Sequence, residues 1–373
     1  MTEALLKELN NQDIDWMVAI GKQQTIPAGI RLLNEDSKTT IDHFYILLEG
    51  SMSIYLSQQD SNPLATAFAS LEDNSTSELE ILHLTRGEII GENILTDLKS
   101  RAISIQATEA SIVLTLPLKE FKNKLNQDKG FAARFYHTVT LLYLKRISTL
   151  LNRLGKSNFA NSQPVRDVLY TFDKFHDSDI DWVISNGKLS KIAAETTLIR
   201  QGRPIDALYF LLDGQMSVSL SSDRHNPLTS IFATLEDRQA TGTEIAKLHK
   251  GEIFGETPFI DASLSYANIS ATEDSIVLAL PKPLLIAKLQ KDIGFSARFY
   301  WAISTLLANR LQGIISKLSI GRRTYTRHRS LNEKAAYEDE IDLNTLEQIS
   351  LAATKFDWML EQLKLNQMKQ GKR

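Results

Sequence analysis

HFYILLEGSMSIYLS at residues 43–57 and ALYFLLDGQMSVSLS at residues 207–221 are two versions of one segment. Each runs through apolar residues to a glycine, Gly50 or Gly214, and then alternates apolar with small polar positions. Alternation interrupted by a glycine marks two short strands joined by a tight turn. The match continues outward. EILHLTRGEIIGEN from Glu80 realigns with EIAKLHKGEIFGET from Glu244, and KGFAARFY from Lys129 with IGFSARFY from Ile293. All three pairs share an offset of 164 residues, so the copies align without a gap from about Asp42 to Arg146. Upstream, DIDW at Asp13 pairs with DIDW at Asp179 at an offset of 166, which implies a two-residue deletion in copy 2. That period is far too long for a solenoid unit, so the chain reads as two complete domains.

Within copy 1, strands are expected over Tyr45–Leu48, Met52–Leu56, Ala65–Ala69, Leu79–Leu84, Ala102–Ala107 and Ser111–Leu116. Gly50, Gly87 and Gly91 punctuate them, with Gly214, Gly251 and Gly255 as counterparts. Many short strands between turn signals indicate an antiparallel β-roll or sandwich. Each copy opens in a helix, where Asp13 or Asp179 is placed to cap and Trp16 or Trp182 to anchor. Each closes in a longer one: Phe131, Phe135, Val139, Leu142, Ile147, Leu150 and Leu154 recur at helical spacing. The fold class is therefore α+β, with two tandem antiparallel β-rolls of double-stranded β-helix or jelly-roll type, each flanked by helices. Domain 1 is expected over 1–160, domain 2 over 161–320 and a helical tail over 321–373, with the turn-rich stretch Gly155–Pro164 as the linker.

Composition narrows the function. Of 373 residues, 43% are hydrophobic and 23% charged, the profile of a soluble globular protein. A net charge of −3 offers no whole-molecule attraction to nucleic acid or anionic membrane. The absence of cysteine excludes disulfides, thiolate chemistry and Cys-based metal sites. The N-terminus lacks a signal-peptide pattern, and no apolar run approaches the roughly 18 residues a membrane span needs. A cytoplasmic protein without membrane insertion is expected.

The chemistry sits in GENILTDLKSRAISIQA, Gly91–Ala107. A strand ending in Gly, an acid, a short turn and an Arg before an alternating strand suits a nucleotide-phosphate cradle. Backbone N–H groups at a helix start attract an anion, and an Arg fork adds charge-assisted bonds to phosphate oxygens. The stretch resembles the phosphate-binding cassette of cyclic-nucleotide-binding domains, as in protein kinase A regulatory subunits and the bacterial CRP/FNR family. Gly91, Glu92, Arg101 and Ala102 fall on that pattern, and the likeness covers roughly residues 13–154 and 179–318. The resemblance implies that Glu92 binds the ribose 2′-hydroxyl and Arg101 the cyclic phosphate, and that Ala102 favours cAMP over cGMP. It also implies the β-roll and a C-terminal helix that lids the pocket or mediates dimerisation.

The chain departs from the pattern in two ways. Where that family usually has a small residue, copy 1 has Ile94, which crowds the phosphate's approach to the amides. Copy 2 reads GETPFIDASLSYANISA, Gly255–Ala271: Gly255 and Glu256 persist, but Ser265 stands at the Arg position and Tyr266 follows. Pro258 in place of the small residue also removes an amide donor. Copy 2 is expected to be a degenerate pocket, leaving cAMP or cGMP to domain 1 alone.

The CRP/FNR reading module is missing. The tail holds no two-helix pattern, and the cluster Arg322, Arg323, Arg327 and Arg329 reads as a solvated hinge next to Glu338–Asp342. Leu346, Ile349, Ala353, Phe356, Leu360 and Leu363 follow a 3-4-3-4-3 seam, which suits packing onto the chain's own domains or a partner helix. The seven histidines (43, 83, 137, 176, 225, 249 and 328) show no metal-ligand spacing, and no catalytic constellation is evident. The duplicated acidic stretch LEDNSTSELE, with LEDRQATGTE in copy 2, reads as a solvated hairpin loop.

The expected function is a non-enzymatic regulator that senses a cyclic nucleotide, cAMP favoured, through domain 1. It would signal to a protein partner, or self-associate, through the long helices and residues 344–365. The alternative is a nucleotide-blind scaffold in a larger bacterial complex, possibly one that is phage-tail-like. Metal and nucleic acid are not expected.

Overall fold

The structure is a computed structural model that describes residues 8–33, 42–56, 79–92, 103–154, 167–220, 243–261, 264–323 and 343–364. The expected strand Ala65–Ala69, the linker Gly155–Pro164 and nearly all of both acidic stretches lie outside the described residues. Contacts divide the chain into two units, Met1–Arg153 with Leu307–Ala335 and Leu154–Leu306 with Ala336–Arg373.

Copy 1 begins with α1 (Asn11–Ile20). Then come β1 (Lys22–Ile26), β2 (Arg31–Leu33), β3 (His43–Glu49), β4 (Ser51–Leu56), β5 (Leu79–Thr85), β6 (Ile89–Ile90), β7 (Ile103–Ala107) and β8 (Ser111–Pro117). It closes with α2 (Leu118–Gln127) and α3 (Lys129–Leu154). The strands form two antiparallel sheets, β1-β8-β3-β6 and β2-β7-β4-β5. Copy 2 opens with α4 (Val168–Thr171), a 3-10 turn (Phe172–Lys174) and α5 (Asp177–Asn186). Its strands are β9 (Lys188–Ile192), β10 (Thr197–Ile199), β11 (Ala207–Asp213), β12 (Gln215–Leu220), β13 (Thr243–His249), β14 (Ile253–Phe254), β15 (Asn268–Ala271) and β16 (Ser275–Pro281). Two helices follow, α6 (Lys282–Lys291) and α7 (Ile293–Arg323), and then α8 (Leu343–Gln362). Copy 2 repeats the sheets as β9-β16-β11-β14 and β10-β15-β12-β13. The two tandem antiparallel β-rolls, their flanking helices and the C-terminal helix agree with the sequence.

Even the irregularities are duplicated. Registers shift at Leu47/Glu49 and Leu211/Asp213, at Ile54/Tyr55 and Val218/Ser219, and at Arg31/Leu33 and Thr197/Ile199. The last pair keeps the upstream offset, so the deletion lies between β2 and β3. Gly50 and Gly214 turn the central hairpins at φ +85° and +89°. A Cβ at Gly50 would meet Ser111 Oγ at 2.4 Å and the Ala110 carbonyl at 2.8 Å, so both conformation and space require glycine.

Each copy is closed on itself by a clamp between its first and last helices. Arg134 on α3 donates from Nε and Nη2 to the two carboxylate oxygens of Asp13, at 2.7 and 2.9 Å. Arg298 on α7 holds Asp179 in the same way, at 2.6 and 2.9 Å. Asp13 also accepts from the Asn10 backbone N–H at 3.0 Å, so Asn10 is the cap and Asp13 its reciprocal partner. The hydrogen bonds to Asp13 hold the Arg134 guanidinium above its ordinary pKa. Trp16 and Trp182 are half-buried rather than buried anchors. Trp16 lies against Phe121 and Phe131 at 5.6 and 5.3 Å, and Trp182 against Phe295 at 5.6 Å.

The helical stripe on α3 is the core of copy 1: Phe131, Phe135, Val139, Leu142, Ile147 and Leu150 are all buried. Phe121 sits at its centre, 4.7 Å from both Phe44 and Phe135. In copy 2 the positions of Phe44 and Phe121 are Leu208 and Leu285. Both leucines line a gap of about 20 Å³, walled also by Phe172, Phe210, Phe295 and Phe299. Two rings of copy 1 are thus leucines beside that gap, while Phe210 stands there in place of Ile46. Leu285→Phe should therefore stabilise copy 2 by about 1 kcal/mol and Phe121→Leu should destabilise copy 1 by about the same amount, read from urea unfolding. A loss of stability in both variants would show that the two cores do not interchange.

Candidate functional site

The site forms where β6 and β14 end. Short two-residue strands pair Tyr45 with Ile90 and Tyr209 with Phe254, and each then turns at a glycine in the left-handed region. Gly91 has φ +86° and Gly255 φ +81°. A Cβ at Gly255 would press on the Ala207 carbonyl at 2.8 Å and the Tyr209 ring at 3.1 Å. The turn aims the following glutamate inward: Glu92 is 6% exposed and Glu256 2%.

A buried carboxylate needs a partner. Glu92 has one that the sequence reading did not assign. Arg146, itself 5% exposed, reaches from α3 and donates through Nη1 to Glu92 Oε1. Its Nη2 donates to the Ile89 carbonyl at 2.6 Å and to Glu88 Oε2 at 3.3 Å. Lys145 adds a contact to Glu88 Oε1 at 3.4 Å from a mostly solvated side chain. Burial opposes the Arg146 charge, but Glu92 and then Glu88 outweigh it and hold the guanidinium above its ordinary value. Arg146 is thus the bond between the glutamate turn and the long helix.

Of the residues expected to make the copy 1 site, Gly91 and Glu92 are described, at the turn that follows β6. Ile94, Arg101 and Ala102 lie outside the described residues. In copy 2 Ser265 is visible and buried at 7% exposure. Its hydroxyl donates to the Ala267 carbonyl at 2.7 Å. Its backbone N–H donates to the Arg203 carbonyl at 3.1 Å, and its carbonyl accepts from Gly202 N–H at 2.8 Å. Both backbone groups of Ser265 are therefore hydrogen-bonded. Pro258 lies in a 3-10 turn, Thr257–Phe259, and the Phe259 carbonyl accepts from the Tyr300 hydroxyl of α7 at 3.1 Å. The neighbouring acid also differs: Glu252, the counterpart of Glu88, accepts from the His249 backbone N–H.

Among the described residues no group of His, Cys, Asp and Glu could hold a metal ion, and no helix is long and apolar enough to cross a membrane.

A family model for the cyclic nucleotide-binding domain matches residues 23–128 and 189–292. No curated protein sequence matches the chain. Among solved structures, the regulatory domain of Toxoplasma gondii PKA with cAMP is similar at 15% identity and TM-score 0.28, covering 83% of this chain and 92% of that one. The regulatory subunit of a cAMP-independent protein kinase A from Trypanosoma cruzi, bound to guanosine, is similar at 15% identity and TM-score 0.27, covering 78% and 81%. The Thermus thermophilus catabolite activator protein reaches 15% identity and TM-score 0.31, covering 51% and 75%.

The Arg146 cluster has a thermodynamic signature. Arg146→Leu leaves two carboxylates buried without their cation and should cost copy 1 about 3–5 kcal/mol, measured by urea unfolding through Trp16 fluorescence. Adding Glu88→Gln and Glu92→Gln to it should recover most of that loss. A triple variant as unstable as the single one would show that Arg146 acts through packing alone.

Proposed function

This chain belongs to the cyclic nucleotide-binding domain family, and on that premise we propose that it is a regulatory protein in which copy 1 senses a cyclic nucleotide, cAMP in preference to cGMP. Copy 2 serves as a nucleotide-blind companion. The reading is carried by one observation, the burial of Arg146 between Glu88 and Glu92. A ribose hydroxyl that bonds Glu92 changes the electrostatic partner of a residue on α3, the helix that leads out of copy 1. A ligand shifts a conformational balance only by its differential affinity for the two states. Here the difference lies in how Glu92 divides its bonding between ligand and Arg146. Arg101 supplies the charge that matches the cyclic phosphate, and the helix carries the response to a protein partner.

For copy 2 the support is chemical. An anionic phosphate needs a cation or a cluster of free amides. Ser265 offers neither charge nor reach, because its hydroxyl and both backbone groups are engaged. The same closure favours a second reading, in which both rolls are rigid bodies for assembly and no nucleotide is bound.

Calorimetric titration separates the two. cAMP should bind with one site per chain and more tightly than cGMP. Arg101→Ala should weaken binding by about 10- to 100-fold, the worth of charge-assisted bonds to phosphate, while Ser265→Ala should leave it unchanged. Absence of heat with either nucleotide at about millimolar concentration would sink the sensing reading and leave the scaffold.

A further inference from the structure

The two copies close with the same bonds, and that sameness creates a problem of address. Asp13 and Asp179 lie in the shared sequence DIDW, Arg134 and Arg298 in the shared sequence ARFY. Each arginine makes the same two hydrogen bonds to its aspartate. The contacts behind the clamps repeat as well. Trp16 meets Phe131 at 5.3 Å and Trp182 meets Phe295 at 5.6 Å, while Lys124 lies 5.6 Å over Trp16 and Lys288 5.7 Å over Trp182. None of these contacts tells the opening helix of one copy from that of the other. Within one chain the wrong pairing is intramolecular, so its effective concentration is high. Repeat and multidomain chains characteristically misassemble in this way.

One pair at the same interface differs. His137, one turn beyond Arg134 on α3, donates from Nδ1 to Glu8 Oε2 at 2.8 Å, with the two side chains 17% and 22% exposed. At the repeat offsets of 166 and 164 these positions in copy 2 are Lys174 and Trp301. Lys174 Nζ lies 4.5 Å over the Trp301 ring and 2.7 Å from Asp173 Oδ2, with its side chain only 6% exposed. The acid of copy 1 has become a base, and its partner has changed from a hydrogen-bond donor to an aromatic face. Both members have changed, and each pair is complementary within its own copy.

The crossed pairs are not complementary. Glu8 against Trp301 would set a carboxylate on the negative face of an indole ring, with no donor at that position. Lys174 against His137 would lose its aromatic face and would strip the imidazole of its carboxylate. Discrimination of this kind comes from the unmatched charge in the wrong pairing as much as from the bond in the right one. We propose that Glu8–His137 and Lys174–Trp301 form an address code, which directs each opening helix to the closing helix of its own copy. The aspartate–arginine clamps give both copies a common strength, and this pair gives them the choice. The code acts in folding and involves neither pocket, so it stands or falls apart from nucleotide binding.

The test exchanges the address of copy 1 in the full chain. Glu8→Lys alone should lower the folded-to-unfolded ratio of copy 1 about 10-fold in urea unfolding at neutral pH, as loss of a charge-assisted hydrogen bond does. Adding His137→Trp should recover at least ~3-fold of that, because the new lysine then faces a ring. The double variant carries the copy 2 code twice. On dilution from urea, its yield of chains that elute with native protein should fall at least ~3-fold below wild type despite the recovered stability. A pair that served stability alone would give a double variant that refolds as well as wild type, and that result overturns the code. So does a double variant no more stable than Glu8→Lys. Should the double variant not fold, two single variants of copy 2 decide. Trp301→His offers α7 as a partner for Glu8 and should refold with a yield at least ~3-fold below that of Trp301→Phe, which keeps a ring for Lys174. Equal yields from those two end the proposal.

Discussion

The two-pronged bond between a guanidinium and a carboxylate, Arg134 with Asp13 and Arg298 with Asp179, is the constraint on which each half of this chain depends. It joins residues about 120 positions apart and fixes where the closing helix starts above the roll. An α-helix rises about 1.5 Å per residue, so a helix pinned at Arg134 places Arg146 about 18 Å further along. There it meets the turn that carries Glu92. The clamp sets the direction, the phenylalanine cluster around Phe121 sets the distance from the sheet, and the second arginine then finds its carboxylates. Removing the clamp would not only weaken a helix contact; it would unaim the helix over the site.

Much of the fold could be read from residues alone. The repeat, the strands, the glycine turns and the α3 stripe follow from patterns that bind side chains to one face. The offset change between DIDW and the central hairpin foretold where the copies differ in length, and the duplicated bulges locate it between β2 and β3. Arg146 was missed for an instructive reason. A charged residue on a helix is read as solvated, yet Arg146 follows Tyr143 by three residues and precedes Leu150 by four, on the buried stripe itself. A cation at a core position asks for a buried anion, and Glu88 and Glu92 were the acids available in a strand-turn segment. The α8 seam was legible in part: the helix packs on its own unit, with Phe356 and Leu360 buried and Ile349, Ala353 and Leu363 half-buried, because over so few turns a heptad and a 3.6-residue stripe share positions.

The two copies place different side chains around one shared turn. Both keep the left-handed glycine and the inward glutamate, because the turn itself requires them. In copy 2 the strip next to Ser265 is stitched by main-chain hydrogen bonds to Gly202 and Arg203, and Tyr300 fastens the neighbouring 3-10 turn to α7. In copy 1 Arg146 ties the turn that carries Glu92 to α3.

The gap beside Leu208 and Leu285 has a mechanical meaning. Space that protein atoms leave empty and water fills on unfolding makes the unfolded state the smaller one, and compression favours the smaller state. In copy 1, Phe44 and Phe121 stand at the same two positions. Hydrostatic pressure would therefore act on copy 2 through the space beside these two leucines.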